Sequence, residues 1–349
     1  MVSEVWYVAL VVVSVFLVTT QMAMSMSVVK DDGLFHFMSI GDWGCMPMGG
    51  TKAHDEVVVA KSFADKATEL KSRFVLNTGD NFYHCGVHSK SDSVWKSTFE
   101  DVFTEESMMV PWYSCLGNHD YGYPGSAEAE MEYTSPHNNR WVMPSRYYYR
   151  RLEFPKEVNI SLIVLDSSPC QAKYRSSDPI NWDPCGTHTH TCPGCTFHDN
   201  IMKENCGDQL KWLNEVLPKV PKDDWKIVMT HAPAYELNVE DLLKPLEEHK
   251  FELFINGHVH LLAHYEIDTA PDMNFVTTGA GCWIDVDSTE NPKIGACSID
   301  GVGSCAMKWT DVVAGYTEHV FEDNFKTLAT HYYNHKGEVI HRIAVKKRT

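Results

Sequence analysis

Five polar motifs, each directly behind a short apolar stretch, constrain the fold of this chain more than any other feature. The set is Gly41–Gly44, Gly79–Tyr83, Gly117–Asp120, His231 and Gly257–His260. Apolar stretches of this length predict β-strands, and helical periodicity between several of them indicates β-α-β organisation. Because the carboxyl ends of strands in an open α/β sheet share one edge, we expect the five motifs to meet there.

The remaining pattern predicts one α/β domain that runs from Leu34 to Val345. Strands are expected at 35–40, 74–76, 112–116, 161–166, 226–230, 251–255 and 274–278, with a C-terminal hairpin of 325–330 and 339–343. Helices are expected at 53–70, 94–103, 208–217 and 239–250, with Asp208 as the N-cap of the third. Residues 122–149 and the cysteine-rich stretch 170–206 are expected to be long loops, the latter because its prolines interrupt regular structure.

The side chains of the five motifs are typical of metal ligands. The candidate ligands are Asp42, Asp80, Tyr83, Asn118, His231, His258 and His260. They are too many for one ion and suit two ions that share a bridging carboxylate, an arrangement that favours phosphoester hydrolysis. Taken alone, each motif could equally be a polar turn, and a single histidine is usually a satisfied core residue. Their recurrence behind successive strands favours the metal site.

In their order and content, these motifs resemble the calcineurin-like metallophosphoesterase superfamily. Within it, the purple acid phosphatases of the small tartrate-resistant type are the most similar, because Tyr83 stands where the related protein phosphatases carry a carboxylate. The resemblance implies a single-domain, four-layer αββα sandwich, which some schemes class as α+β. It also implies an iron(III) phenolate whose charge transfer colours the protein.

The resemblance further implies a role for each motif residue. The expected iron(III) ligands are Asp42, Tyr83 and His260. The expected ligands of a divalent iron, zinc or manganese ion are Asn118, His231 and His258. Asp80 would bridge the two ions, and a hydroxide on or between them would attack phosphorus. His119 would bind substrate or protonate the leaving alkoxide as a catalytic residue; the alternative is a loop histidine hydrogen-bonded to Asp120.

One departure from the family pattern concerns the leaving-group side of the pocket. Small members carry a further substrate-facing histidine after the position of His231, whereas residues 234–238 here contain none. Tyr235 or Glu236 could line this side of the pocket, although we expect them only to shape its rim.

The first residues and the cysteines indicate export. Val5–Val18 is uncharged and, apart from Ser14, lacks small polar residues, which predicts a signal peptide over residues 1–27; an uncleaved anchor is the alternative. Eleven cysteines favour disulfides over a zinc module in the insertion 170–206 and leave at least one thiol unpaired within the chain. Asn159–Ser161 is a glycosylation sequon. The predicted location is therefore secreted or within the lumen of the secretory or a lysosome-like pathway.

The net charge of −17 argues against nucleic acid or anionic membranes as partners, although a metal centre could still hold an anionic substrate. The leading hypothesis is a secreted acid phosphatase that hydrolyses phosphomonoesters. The alternatives are a phosphodiesterase or nucleotidase on the same scaffold, and a non-catalytic scaffolding protein. The cysteine-rich insertion could recruit a protein partner.

Overall fold

A computed structural model describes residues 32–45, 53–176, 183, 185, 192–282, 284, 295–297 and 304–348. The predicted signal peptide, residues 1–27, lies outside these residues. The described strands are β1 (Phe35–Ile40), β2 (Val75–Asn77), β3 (Trp112–Ser114), β4 (Trp141–Val142), β5 (Tyr148–Glu153), β6 (Asn159–Val164), β7 (Trp225–Met229), β8 (Leu253–Asn256), β9 (Leu262–Ile267), β10 (Asn274–Thr278), β11 (Gly295–Ala296), β12 (Cys305–Asp311), β13 (Gly315–Glu322), β14 (Thr327–Asn334) and β15 (Val339–Lys346).

The described helices are short apart from the first. The α-helices are α1 (Ala53–Leu70), α2 (Ser126–Glu132), α3 (Ala172–Arg175), α4 (Phe197–Met202), α5 (Cys206–Val216) and α6 (Leu243–Glu248). The helix expected at 94–103 is a π-helix over Trp95–Glu100. None of the helices in the described part of the chain is both long and apolar enough to cross a bilayer.

The strands form two mixed sheets. The first has the order β15-β14-β13-β1-β2-β3-β4 and the second the order β11-β12-β9-β10-β8-β7-β6-β5. In the first sheet β1, β2 and β3 are parallel, and their register places Ile40 beside Asn77 and Asn77 beside Ser114. In the second sheet β7 and β8 are parallel, with Met229 beside Ile255. Each parallel set therefore ends at a common edge of its sheet.

Successive side chains of a strand point to opposite faces of its sheet, and the apolar ones form three large cores among the described residues. Phe37 of β1 and Ile227 of β7 point into the core between the two sheets. Met38 of β1 packs instead against Phe63 of α1 on the outer face of the first sheet. The outer face of the second sheet is covered by α5 and α6. The result is the expected αββα sandwich in a single domain, in which two sheets are enclosed by helices.

Several expectations of local structure are wrong. Residues 122–149 contain α2 and β4 rather than one loop, and the cysteine-rich stretch contains α3 and α4. The helix expected at 208–217 begins earlier, at Cys206, because the N-cap is Asn205, whose side chain accepts a hydrogen bond from the Gly207 amide, and not Asp208. The helix expected at 239–250 is confined to Leu243–Glu248, which places Pro245 in the first turn, where proline is tolerated.

Candidate metal centre

All five motifs converge on one place, but they come from two sheets and not from one edge of a single sheet. Asp42, Asp80 and Asn118 follow β1, β2 and β3 of the first sheet. His231 and His258 follow β7 and β8 of the second sheet. The seven predicted ligands are thus brought together where the carboxyl ends of the two parallel sets meet.

The backbone at this place is unusual. Asp42, Asp80 and His258 adopt left-handed conformations, with φ values of 58°, 52° and 69°. Such conformations are rare outside glycine and cluster at functional sites. Glycine is required beside them: a Cβ on Gly117 would lie 2.1 Å from Oδ1 of Asp80, and one on Gly257 would lie 2.4 Å from Oδ2 of Asp42. The glycines of the motifs therefore let the backbone pass directly behind the carboxylates.

Four side chains form the first half of the centre around His231. Its Nδ1 lies 2.8 Å from the carbonyl oxygen of Thr78, so Nδ1 carries the proton. In the neutral ring the lone pair of Nε2 then faces three further acceptors. These are Oδ1 of Asn118 at 3.1 Å, Nδ1 of His258 at 3.2 Å and Oδ2 of Asp80 at 3.3 Å. The lone pairs of these four atoms repel one another, whereas a cation placed among them would be coordinated by all four.

Three side chains form the second half of the centre around Tyr83. The hydroxyl of Tyr83 lies 3.1 Å from Oδ1 of Asp42 and 3.1 Å from Nε2 of His260. Nε2 of His260 is 3.4 Å from the same carboxylate oxygen. Asp42 is held by the amide of His258, which donates to both of its oxygens. The two halves are therefore connected through the His258 backbone.

The donor set fits a pair of metal ions. Ligand atoms of Asp42, Asp80 and His231 lie within 4.8 Å of one another, and all three side chains are buried. Oδ2 of Asp80 has no hydrogen-bond partner among the described residues, although it is buried. A buried carboxylate oxygen without a partner is costly unless a cation neutralises it. Asp80 lies between the two halves, which is the position that a bridging ligand needs.

Without an ion, the acidic and basic ligands shift each other's pKa values. Burial alone would raise the pKa of Asp80, but His231 and His119 outweigh it and lower that pKa. Burial would lower the pKa of His231, but Asp80 and Asp42 raise it to about 9. Burial, together with Asp42 and Asp80, raises the pKa of Tyr83 well above its usual value. A phenolate at Tyr83 therefore requires a strongly positive group beside it.

His119 lies at the mouth of the centre. Its Nδ1 is 2.6 Å from the carbonyl oxygen of His84, and its Nε2 is 3.9 Å from Oδ2 of Asp80. The alternative that His119 bonds to Asp120 is wrong. Asp120 instead accepts hydrogen bonds from the amides of Asn81 and Gly117, so it shapes the loops that carry the ligands.

Two further charged residues lie against the centre. Oε2 of Glu236 is 3.3 Å from Nε2 of His258 and 2.5 Å from Nζ of Lys173. The expectation that Glu236 only shapes the rim is wrong, because it contacts a predicted ligand. Tyr235 is buried against Tyr265, away from the ligands. Sequence reasoning missed Lys173 altogether, since it lies in the cysteine-rich stretch and carries no motif.

Five disulfides link the described cysteines, which confirms disulfides over a zinc module. They are Cys45–Cys282, Cys85–Cys192, Cys170–Cys206, Cys185–Cys195 and Cys297–Cys305. Cys115 is buried and free, as the odd count requires. Asp183 lies near the Cys185–Cys195 pair, but the disulfide leaves no thiolate for a metal there. Cys85–Cys192 ties the insertion to the loop that carries Tyr83.

Comparison with known proteins identifies the class. The model of the calcineurin-like phosphoesterase family matches residues 35–262, and the chain therefore belongs to that family. Relatives that it matches over most of its length include purple acid phosphatases. It is 30% identical over 271 residues to tartrate-resistant acid phosphatase type 5 of Sus scrofa, over 75% of this chain and 74% of the relative. It is 29% identical over 333 residues to purple acid phosphatase 17 of Arabidopsis thaliana, over 91% and 86% of the two chains.

Solved structures show the same fold. The likeness to GAP50, described as the anchor in the inner membrane complex of Plasmodium, has a TM-score of 0.65 at 21% identity over 90% of each chain. Purple acid phosphatase PPD1 from yellow lupin matches with a TM-score of 0.55 at 12% identity, over 90% of this chain and 54% of that one.

Proposed function

We propose that this protein is an acid phosphatase that hydrolyses phosphomonoesters at a dinuclear centre of iron(III) and a divalent ion. One observation carries the proposal: seven side chains of the right ligand types, from both sheets, turn their donor atoms toward one buried place. Asp42, Tyr83 and His260 would hold iron(III). Asn118, His231 and His258 would hold divalent iron, zinc or manganese, and Asp80 would bridge.

The bound ions would supply a nucleophile derived from water and neutralise charge on the phosphate. The protein residues around them bind, orient and move protons. Because Nδ1 of His119 is engaged by the His84 carbonyl, Nε2 is the atom free to bind phosphate or give a proton to the leaving oxygen. Lys173 adds a positive charge beside His258, at a distance of 3.4 Å between Nζ and Nε2.

The setting of the site supports an exported enzyme. The disulfides among the described residues favour an oxidising compartment, either outside the cell or in the lumen of the secretory or a lysosome-like pathway. Asn159 of the sequon begins β6 and is exposed, so it is accessible for glycosylation. The signal peptide, the glycan and a protein partner at the insertion 170–206 belong to the same proposal.

The test combines metal analysis with a substrate panel. Purified protein is expected to hold two metal ions per chain, to absorb visible light and to hydrolyse an aryl phosphate monoester at acidic pH. Tyr83→Phe is expected to lose the visible band. Faster hydrolysis of an aryl phosphodiester would favour the phosphodiesterase alternative. Two bound metals without turnover of either ester would favour a scaffolding protein, and protein that binds no metal under any loading condition would overturn the proposal.

A further inference from the structure

A basic cavity of about 470 Å³ lies at the edge of the second sheet remote from the metal centre. Lys226 is the second residue of β7, whereas His231 lies two residues beyond the end of that strand. Lys250 precedes β8, whereas His258 follows it. The amino ends of the parallel strands therefore border this cavity, and their carboxyl ends border the metal centre. The two places are separated by the length of β7, roughly 16 Å.

The charged groups that line the cavity are mostly cations. They are Lys222, Lys226, Lys250 and Arg348, beside His249 and the single acidic side chain Glu248. One wall is apolar and is made by Leu217, Pro218 and Val220. A local excess of positive charge is unexpected on a chain whose net charge is −17. The local charge of the cavity is thus opposite in sign to the net charge of the protein.

Lys226 is the most buried of the cations that line this cavity. It is only 5% exposed. Its backbone amide donates to Oε2 of Glu252 at 2.7 Å, but its ammonium group makes no hydrogen bond or ion pair within the described part of the chain. Because Lys226 is nearly buried, its ammonium group has only narrow access to water at the cavity wall and no protein partner, which disfavours its charge. Burial lowers the pKa of Lys226, with Glu252 opposing and Lys347 and Arg348 adding to the decrease.

Two carboxylates beside the cavity already pair with other cations. Oε1 of Glu252 lies 2.7 Å from Nζ of Lys347. Both oxygens of Glu247 accept from the guanidinium of Arg348, at 2.9 Å and 2.7 Å. Glu252 attracts the ammonium group of Lys226 without contacting it, and an anion from solution would supply the missing contact partner.

We propose that this cavity is a binding site for a small organic phosphate. The lysines would hold the phosphate oxygens, since ammonium groups bind phosphate as point charges. The apolar wall would receive the organic part. The site is independent of the metal centre, and the proposal does not rest on the proposed catalytic function.

The experiment measures binding by calorimetry with two probes that the protein cannot hydrolyse, inorganic phosphate and phenylphosphonate. Each is titrated into the wild type, Lys226→Gln, Lys222→Glu and the control Lys308→Gln. Lys308 is exposed and pairs with Glu266 on the adjacent strand β9. Its own strand, β12, lies four positions from β7 in the sheet. Chelator-treated samples of each variant are titrated in parallel, because binding at the metal centre requires metal and binding at the cavity does not.

The wild type is expected to keep a metal-independent site that binds phenylphosphonate more tightly than inorganic phosphate. Lys226→Gln is expected to weaken that site roughly 10- to 100-fold, the usual effect of losing a charge-assisted hydrogen bond. Lys308→Gln is expected to bind like the wild type. If Lys226→Gln does not fold, the Lys222→Glu variant tests the proposal instead, because Lys222 is exposed and its replacement should not disturb folding. Loss of all binding on chelation, or unchanged binding in both cavity variants, would overturn the proposal.

Discussion

Glu236 Oε2 lies 3.3 Å from Nε2 of His258, on the side of the imidazole ring opposite Nδ1, which faces His231 at 3.2 Å. Burial would raise the pKa of Glu236, but Lys173 and His258 outweigh it and lower that pKa. The carboxylate therefore accepts the Nε2 proton and keeps the Nδ1 lone pair directed at the centre. Carboxylates that orient ligating histidines in this way strengthen metal binding.

Replacing Glu236 by Ala should weaken binding of the divalent ion about 10- to 100-fold, because His258 is no longer held in the correct tautomer. Glu236→Gln should recover part of the loss, since its side-chain oxygen can still accept the Nε2 proton. Competition against a metal-buffering chelator measures the affinity. Glu266→Gln, on the exposed partner of Lys308, serves as the control. Equal metal affinity in Glu236→Ala and the wild type would contradict the positioning role.

Gly117→Ala should abolish metal binding. A Cβ at this position would lie 2.1 Å from Oδ1 and 2.3 Å from the amide nitrogen of Asp80, so the predicted bridging ligand must move. Metal content per chain after purification measures the effect. Gly207→Ala is the matched control, because a Cβ there would meet only two side-chain oxygens, at 3.2 Å and 3.3 Å. A fully loaded Gly117→Ala variant would show that the glycine does not set the position of Asp80.

Asp166 should make stability decrease as pH rises. Burial raises its pKa from the ordinary 3.8 to about 7, although Arg146 and the Tyr121 hydroxyl favour the carboxylate. Between these two values the folded protein holds a proton that the unfolded chain has released. The stabilisation from the neutral acid is therefore complete below pH 4 and is lost as the pH rises through 7.

The Asp166→Asn variant should lack this dependence, because its side chain stays neutral. The difference in free energy of unfolding between wild type and variant should change by roughly 4 kcal/mol between pH 4 and pH 8 in favour of the variant. Denaturant unfolding at each pH measures it. Asp65→Asn, at an exposed carboxylate paired with Lys61, should follow the wild-type profile. Parallel pH profiles for wild type and Asp166→Asn would exclude Asp166 as the source.

The disulfide Cys45–Cys282 should contribute more to stability than Cys297–Cys305. The first joins residues 237 positions apart and the second residues 8 apart, so the first restricts the unfolded chain more. Replacing both cysteines of a pair by serine should cost about 5 kcal/mol for the long loop and about 2–3 kcal/mol for the short one. Chemical denaturation of the two double variants measures the costs. A larger loss for the short loop would contradict this explanation.

The ligand positions could be predicted because each lies in a short, continuous sequence pattern. An apolar strand followed by a glycine and a short polar turn specifies a strand end, and strand ends of parallel sets meet. The division between two sheets is not visible in this pattern, since β1 and β7 are equally apolar. It followed only from the resemblance to a known family.

The strand β13 was not predicted because its buried positions include polar residues. Glu318 lies in the sheet but accepts from His36 and His331, each at 2.6 Å. His319 is buried against Ser39, with 2.8 Å between Nε2 and the hydroxyl. These bonds satisfy groups that a hydrophobic pattern treats as exposed. Lys173 was missed because its contact with Glu236 joins segments 63 residues apart, which a local sequence pattern does not show.

The place of β13 bears on how the protein is made. β1 carries Asp42 at its end and pairs with β2 on one side and β13 on the other, where Phe35 lies beside Phe321. During translation β1 leaves the ribosome well before β13, its second neighbour. We therefore expect β1 to be fixed in the nascent chain only once β13 has emerged, so that metal is acquired after that point.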